Sequence, residues 1–345
     1  MSRRHAVLAA AFCAAFVLPA TAAPYTAQYV FGDSLSDNGN LAAALGTTFA
    51  DPPFANNAFT NGPVAVELLA NRLGLRADAA RWTSPAGAGS AGTNYAVAGA
   101  KAGNTAAIDL PFQVSAFLAR SGGAAPSSAL YTVFIGGNDV RNAALNNNPA
   151  FVANGVASEL ANIGRLIAAG ATDFLIVGVT DVGLIPEFTQ DNPTRAALAS
   201  QSSVEYNRLL ALGVAGLASA NPGDTFRLVD LFSSNNAFIA NAASVGITNT
   251  TDPCYLNVNA GLASPTAPAT PTAACGAIDP ATGDAANIGA YLYWDRIHPT
   301  AKGQAGFADA LYAAVVPVTV PEPASAALLG AGVAGLALAR RRRAA

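Results

Sequence analysis

A serine leaves the end of an apolar run in the stretch Val30-Phe31-Gly32-Asp33-Ser34-Leu35-Ser36-Asp37-Asn38-Gly39-Asn40. A serine hydroxyl is a weak nucleophile and needs a base within hydrogen-bond reach, itself oriented by a third group. The chain holds two histidines, His5 and His298. His5 lies in a leader-like segment, so His298 is the histidine a base role must fall on, and a cluster of histidines around a metal is excluded. Asp295 stands three residues before His298. In a tight turn, side chains at that spacing face each other, and a carboxylate there can fix the imidazole tautomer and stabilise the imidazolium. The chemistry these groups can do together is acyl transfer. It also needs donors aimed at a developing alkoxide. The backbone N–H groups of Ser34 and Gly99 are candidates, glycine allowing close approach, and the side-chain amide of Asn138 is a third.

These residues need a scaffold that collects them. Residues 27–31, 93–97, 130–135, 173–179 and 225–231 read as strands, and those at 130–135 and 173–179 read as buried runs, apolar but for Thr132 and the opening Asp173. Helical patterns cover 63–73, 109–120, 151–169, 193–220 and 301–315, with Gly74 and Gly170 as stops and Thr300 as a cap. A short helix capped by Asp33, Ser36 or Asp37 is expected to start just after the serine, its positive end beside the Ser34 hydroxyl, and residues 41–45 also read as a short helix. Continuous strands alternating with helices mean parallel βαβ units with a sheet buried on both faces. Working groups in such sheets lie at the carboxyl ends of strands. Ser34, Gly99 and Asn138 each follow a strand, so one sheet edge can hold all three. Residues 47–61 and 82–92 read as loops, and 233–290 as a long irregular insertion, either a lid or a loose surface loop. The G-x-G-x-x-G matches at 87–92 and 330–335 follow no strand and open no helix, so they are not read as dinucleotide sites.

Composition sets the class. The chain has 345 residues, is 52% hydrophobic and 11% charged, and carries a formal charge of −3. About 300 residues suffice for one large domain with a sizeable core. Both ends are basic. Without Arg3, Arg4, Arg340–Arg343 and Glu322, 12 basic and 20 acidic side chains remain, a balance of −8. No basic patch points to nucleic acid. Residues 1–23 have the form of a secretory signal: Arg3 and Arg4, an apolar stretch, then Ala20-Thr21-Ala22. Cys13 leaves with that segment. Cys254 and Cys275 remain, and an even pair in an exported chain suggests a disulfide.

The motifs together resemble the GDSL, or SGNH, hydrolase family. Gly32-Asp33-Ser34-Leu35 matches its first block. Asn94-Tyr95-Ala96-Val97-Ala98-Gly99 matches the second, Gly136-Gly137-Asn138-Asp139 the third and Asp295-Arg296-Ile297-His298-Pro299 the last. Ala98 departs from the glycine many members carry, while Gly99 is kept. The resemblance implies an α/β fold, a three-layer α/β/α flavodoxin-like sandwich with about five parallel strands. It implies a cofactor-free ester hydrolase of esterase, lipase or phospholipase type acting through an acyl-enzyme. Ser34, Asp295 and His298 would be catalytic, with Ser34, Gly99 and Asn138 forming the oxyanion hole. The last segment, Pro321-Glu322-Pro323, sixteen small or apolar residues and four arginines, resembles a PEP-CTERM sorting signal. That implies a transient membrane anchor processed by an exosortase-type enzyme, and a secreted or surface-associated protein of a Gram-negative bacterium. The expected organisation is a signal at 1–23, a hydrolase domain at 24–317 and a sorting tail at 318–345. A deacetylase of acetylated exopolysaccharide and a non-catalytic surface or matrix protein are the alternative functions. The complete set of four blocks argues against the second.

Overall fold

The strand patterns condense into a parallel sheet because their residues are apolar on both faces. The computed structural model describes residues 25–84, 91–103, 106–256 and 270–316. The signal segment, the sorting tail, residues 85–90 of the glycine-rich run and residues 257–269 of the insertion lie outside the described residues. Strands β1 (Gln28–Gly32), β2 (Leu130–Phe134), β3 (Asp173–Val177) and β4 (Thr225–Val229) form one four-stranded sheet in that order. All pairings are parallel, with Gly32 opposite Phe134 and Val177 opposite Val229 at the carboxyl ends. The segment expected as a strand at 93–97 is reduced to isolated parallel bridges at Asn94, one to Val30 on the outer side of β1 and one to Ala79. It still occupies a fifth position in the sheet. Val30 N donates to Thr93 O, Tyr95 N to Val30 O and Val97 N to Gly32 O. Chain order therefore reverses at β1, whose next segment lies on one side and β2 on the other. This is the switch point of a doubly wound sheet, where ligands bind.

Helices cover both faces. On one face α2 (Ala65–Arg72) and α8 (Ala301–Val315) pack on Val30, Leu130, Leu175 and Val177. On the other, α3 (Leu110–Arg120), α5 (Ala150–Ala168) and α6 (Pro193–Ala220) pack on Phe31, Tyr131, Val133, Phe174 and Ile176. Successive strand residues thus alternate between two buried layers, giving the three-layer α/β/α architecture. A helix with no counterpart among the expected ones, α4 (Gly137–Asn146), begins directly after β2.

The insertion is neither a structureless lid nor a loose loop among its described residues. It opens with α7 (Leu231–Ala240), continues through β5 (Asn249–Pro253) and returns to β6 (Tyr291–Tyr293), with which β5 pairs in parallel. Cys254 and Cys275 are disulfide-bonded, their Cα atoms 5.3 Å apart. Both sulfurs join a third buried cluster with Phe49, Phe54, Phe59, Tyr255 and Trp294. This cluster lies against the chain that carries Asp295 and His298. Thr300 precedes α8, but its hydroxyl donates to Tyr291 O and accepts no N–H of the helix. Among the described residues, no helix is long and apolar enough to cross a membrane.

Candidate active site

Gly32 closes β1 because a Cβ there would meet Phe134 O at 2.5 Å. Its backbone is held on both sides by buried Gln113 of α3: Gly32 N donates to Gln113 Oε1 at 2.9 Å, and Gln113 Nε2 donates to Gly32 O at 2.7 Å. The chain then turns, with Ser36 N and Asp37 N donating to Asp33 O. Ser34 sits in that turn, 8% exposed. No helix starts beside it, contrary to expectation. The short helix α1 (Asn40–Ala44) begins six residues later. Of the three cap candidates, Asp37 does the work. Its carboxylate accepts Gly39 N, Asn40 N and Leu41 N at 2.7–3.0 Å, and also Ala98 N at 2.8 Å. Asp37 therefore ties the serine turn to the segment that ends in Gly99.

That tie is one of several. Asn40 Nδ2 donates to Asn94 O and Ala96 O, and Asn94 Nδ2 donates to Ser36 O and Asn38 Oδ1. These asparagines lie within the first two motif stretches, yet their type alone names no task. Their available signal was the density of short polar side chains around two strand ends. Gly99 follows with φ +84°, a left-handed conformation that favours glycine. Asn138 stands in the first turn of α4, where its Nδ2 donates to Ala100 O at 2.9 Å. The next residue, buried Asp139, accepts Ala102 N at 2.8 Å and Gly103 N at 3.1 Å. The loop after Gly99 is thus pinned to the start of α4.

The fourth block closes the site. Asp295 Oδ1 accepts Ile297 N at 2.7 Å and His298 N at 2.6 Å, forming the tight turn expected from the spacing. Asp295 Oδ2 lies 2.8 Å from His298 Nδ1, and His298 Nε2 lies 2.7 Å from Ser34 Oγ. An ionised carboxylate carries no proton, so Nδ1 holds the ring hydrogen and Nε2 accepts from the serine hydroxyl. Asp295 and His298 are buried, and the Phe59 ring lies 5.1 Å from the imidazole, centroid to centroid. Burial pushes the neighbouring Asp33 carboxyl up to about 7, opposed by the hydrogen bond from Leu35 N and by His298.

A cleft of about 230 Å³ opens on these groups. Ser34, His298, Gly99 and Asn138 line it, together with the apolar Phe59, Ala98 and Ile297 and the polar Lys101, Arg141 and Asn142. Among the described residues, the N–H groups of Ser34 and Gly99 donate to no protein acceptor. The structure thus brings all five sequence-derived residues, Ser34, Gly99, Asn138, Asp295 and His298, to one sheet edge.

A serine hydroxyl joined to a buried imidazole and carboxylate, at the switch point of a parallel sheet, defines a class of acyl-transfer hydrolases. The chain belongs to the GDSL-like Lipase/Acylhydrolase family, whose profile matches residues 29–311, and it is a carboxylic ester hydrolase. It is similar to a GDSL esterase/lipase of Arabidopsis thaliana, 27% identical over 324 residues that cover 81% of this chain and 83% of that protein. It is also similar to a phosphatidylcholine-sterol acyltransferase of Aeromonas hydrophila, at 24% identity over 305 residues covering 81% and 87%. A solved acetylxylan esterase structure from Geobacillus stearothermophilus aligns at 14% identity with TM-score 0.42, over 84% of this chain and 94% of that one. The PEP-CTERM protein-sorting motif matches residues 319–343, a signal for extracytoplasmic or surface export.

Proposed function

We propose that the protein is a secreted serine ester hydrolase of esterase, lipase or phospholipase type, working through an acyl-enzyme on Ser34. The Ser34 Oγ–H proton passes to His298 Nε2 as Oγ attacks the ester carbonyl. The alkoxide of the tetrahedral intermediate is received by the N–H groups of Ser34 and Gly99 and by the Asn138 amide. His298 then returns the proton to the leaving alcohol. A water gives its proton to His298, its oxygen attacks the acyl carbon, and the carboxylic acid leaves as Ser34 recovers its hydrogen. Asp295 holds the ring tautomer and stabilises the imidazolium throughout. The observation that carries this reading is the unbroken contact from Asp295 Oδ2 through His298 to Ser34 Oγ, at 2.8 and 2.7 Å.

The same proposal covers processing. Residues 1–23 direct export and are removed, residues 24–317 form the hydrolase, and residues 318–345 anchor it briefly until an exosortase-type enzyme cuts the tail. The apolar residues of the cleft lining, Phe59, Ala98 and Ile297, suit an acyl chain. The test is labelling with diethyl 4-nitrophenyl phosphate followed by peptide mass spectrometry. One diethylphosphoryl group on Ser34, formed with loss of activity, is expected. Inactivation without modification of Ser34 would contradict the assignment.

A further inference from the structure

The chain contains only two lysines. One, Lys302, donates its ammonium to Val245 O and Gly289 O. The other, Lys101, lines the cleft beside Ser34 and His298. Among the described residues, no carboxylate lies within ion-pair distance of it. Asp139 feels the Lys101 charge without pairing with it, and both Asp139 and Asp109 are engaged by backbone donors. Asp109 accepts Lys101 N and Ala106 N, and Asp139 accepts Ala102 N and Gly103 N. The neighbouring cation of the same wall is already neutralised: Arg141 grips Glu187 with two parallel bonds, Nε to Oε2 and a terminal nitrogen to Oε1. The net charge left on the cleft wall is therefore that of Lys101. An ammonium with no ion-pair partner in a cleft wall favours a ligand that supplies the opposite charge.

We propose that Lys101, with Asn142 in the lining of the same cleft, is an anion subsite for the substrate. The preferred ester carries a phosphate or carboxylate group close to its scissile carbonyl. This rests on the ester-hydrolase reading and names its substrate class. A lysine is a compact point charge on a flexible stem and suits either anion without demanding planar geometry. Lys101 acts here on selectivity, holding the charged part of the substrate so that the carbonyl meets Ser34.

Two matched pairs of esters test it. The carboxylate arm compares mono-(4-nitrophenyl) glutarate with 4-nitrophenyl valerate. The phosphate arm compares dihexanoyl phosphatidic acid with dihexanoylglycerol. The readout is the ratio of kcat/KM, anionic over neutral, in the native protein, Lys101→Gln and Lys101→Arg. The subsite predicts that Lys101→Gln lowers the ratio about tenfold in at least one arm, that Lys101→Arg largely restores it, and that added salt lowers the native ratio toward that of Lys101→Gln. The arm that moves identifies the anion. A ratio in Lys101→Gln within threefold of the native one, in both arms, overturns the proposal. Binding of mono-(4-nitrophenyl) glutarate to Ser34→Ala, with and without Lys101→Gln, is measured by calorimetry. It keeps the two readings apart: absence of turnover on every ester contradicts the hydrolase reading, whereas equal affinity of the two proteins for this anion contradicts the subsite.

Discussion

Asp295 uses both of its carboxylate oxygens. Oδ1 builds the turn by accepting two backbone N–H groups, and Oδ2 meets the imidazole. An asparagine can keep the first task and fail the second, because its amide nitrogen opposes the Nδ1 hydrogen and favours the wrong tautomer. Asp295→Asn is therefore expected to lower kcat by about 10³ to 10⁴, with KM and the unfolding midpoint little changed. Steady-state kinetics and urea titration check both halves. A tenfold loss or less would mean that the carboxylate does not orient the ring. The residues that carry this chemistry were legible because their types are scarce: one histidine outside the leader, and one aspartate three positions before it. The residues that brace them were not. Asp37, Asn40, Asn94 and Gln113 are common polar types whose partners lie far along the chain, such as Gly32 with Gln113. Lys101 had no local pattern to single it out at all.

At the level of elements, the junction from β2 to α4 shows why local reading stops short. Gly-Gly-Asn-Asp has the composition of a turn, yet Gly136 takes φ +107° and the next residue starts a helix. What fixes this is α6, which brings the Tyr206 ring against Gly136. A Cβ at Gly136 would stand 2.4 Å from Tyr206 Cζ, and the phenol is held by its bond to Glu159 of α5 at 2.6 Å. Gly136→Ala combines a strained φ with a clash against an anchored ring. It should destabilise the protein by about 2–4 kcal/mol in urea unfolding and reduce turnover, since Asn138 stands in the first turn of the helix that follows. An unchanged midpoint would show that α6 yields easily at this point. The main strands and the longest helices were readable because periodicity and continuous apolar runs are local signals. The 93–97 segment was over-read as a strand, since bridging at Asn94 alone suffices to bring Gly99 to the site. The insertion was under-read, because its order comes from a disulfide and a long-range aromatic cluster rather than from any period of its own.

Across the whole molecule, the buried polar layer beneath the cleft makes stability depend on pH. Burial pushes the carboxyls of Glu159, Asp33 and Asp139 up, to about 8, 7 and 6. In the unfolded chain the same groups titrate near ~4. Between those limits the native state keeps protons that the unfolded state has released, so stability falls as pH rises. Their contribution is complete below pH ~4 and is lost as pH passes through these folded values, up to about 8. The urea midpoint should thus be higher at pH 5 than at pH 8.5, and Glu159→Gln should flatten the upper part of that decline. A midpoint that is level or rising over this range would contradict the protonated carboxyls. The same architecture sets one cleft at the switch point of the sheet, where four distant sequence blocks converge. The central claim is that this convergence makes Ser34 the nucleophile of an ester hydrolase. The most direct measurement is release of 4-nitrophenol from 4-nitrophenyl esters of increasing acyl length, by the native protein and by Ser34→Ala, with circular dichroism verifying the fold of both. The account predicts turnover that depends on acyl length in the native protein and a loss of at least about 10³-fold in Ser34→Ala. Turnover retained in the folded variant would contradict it.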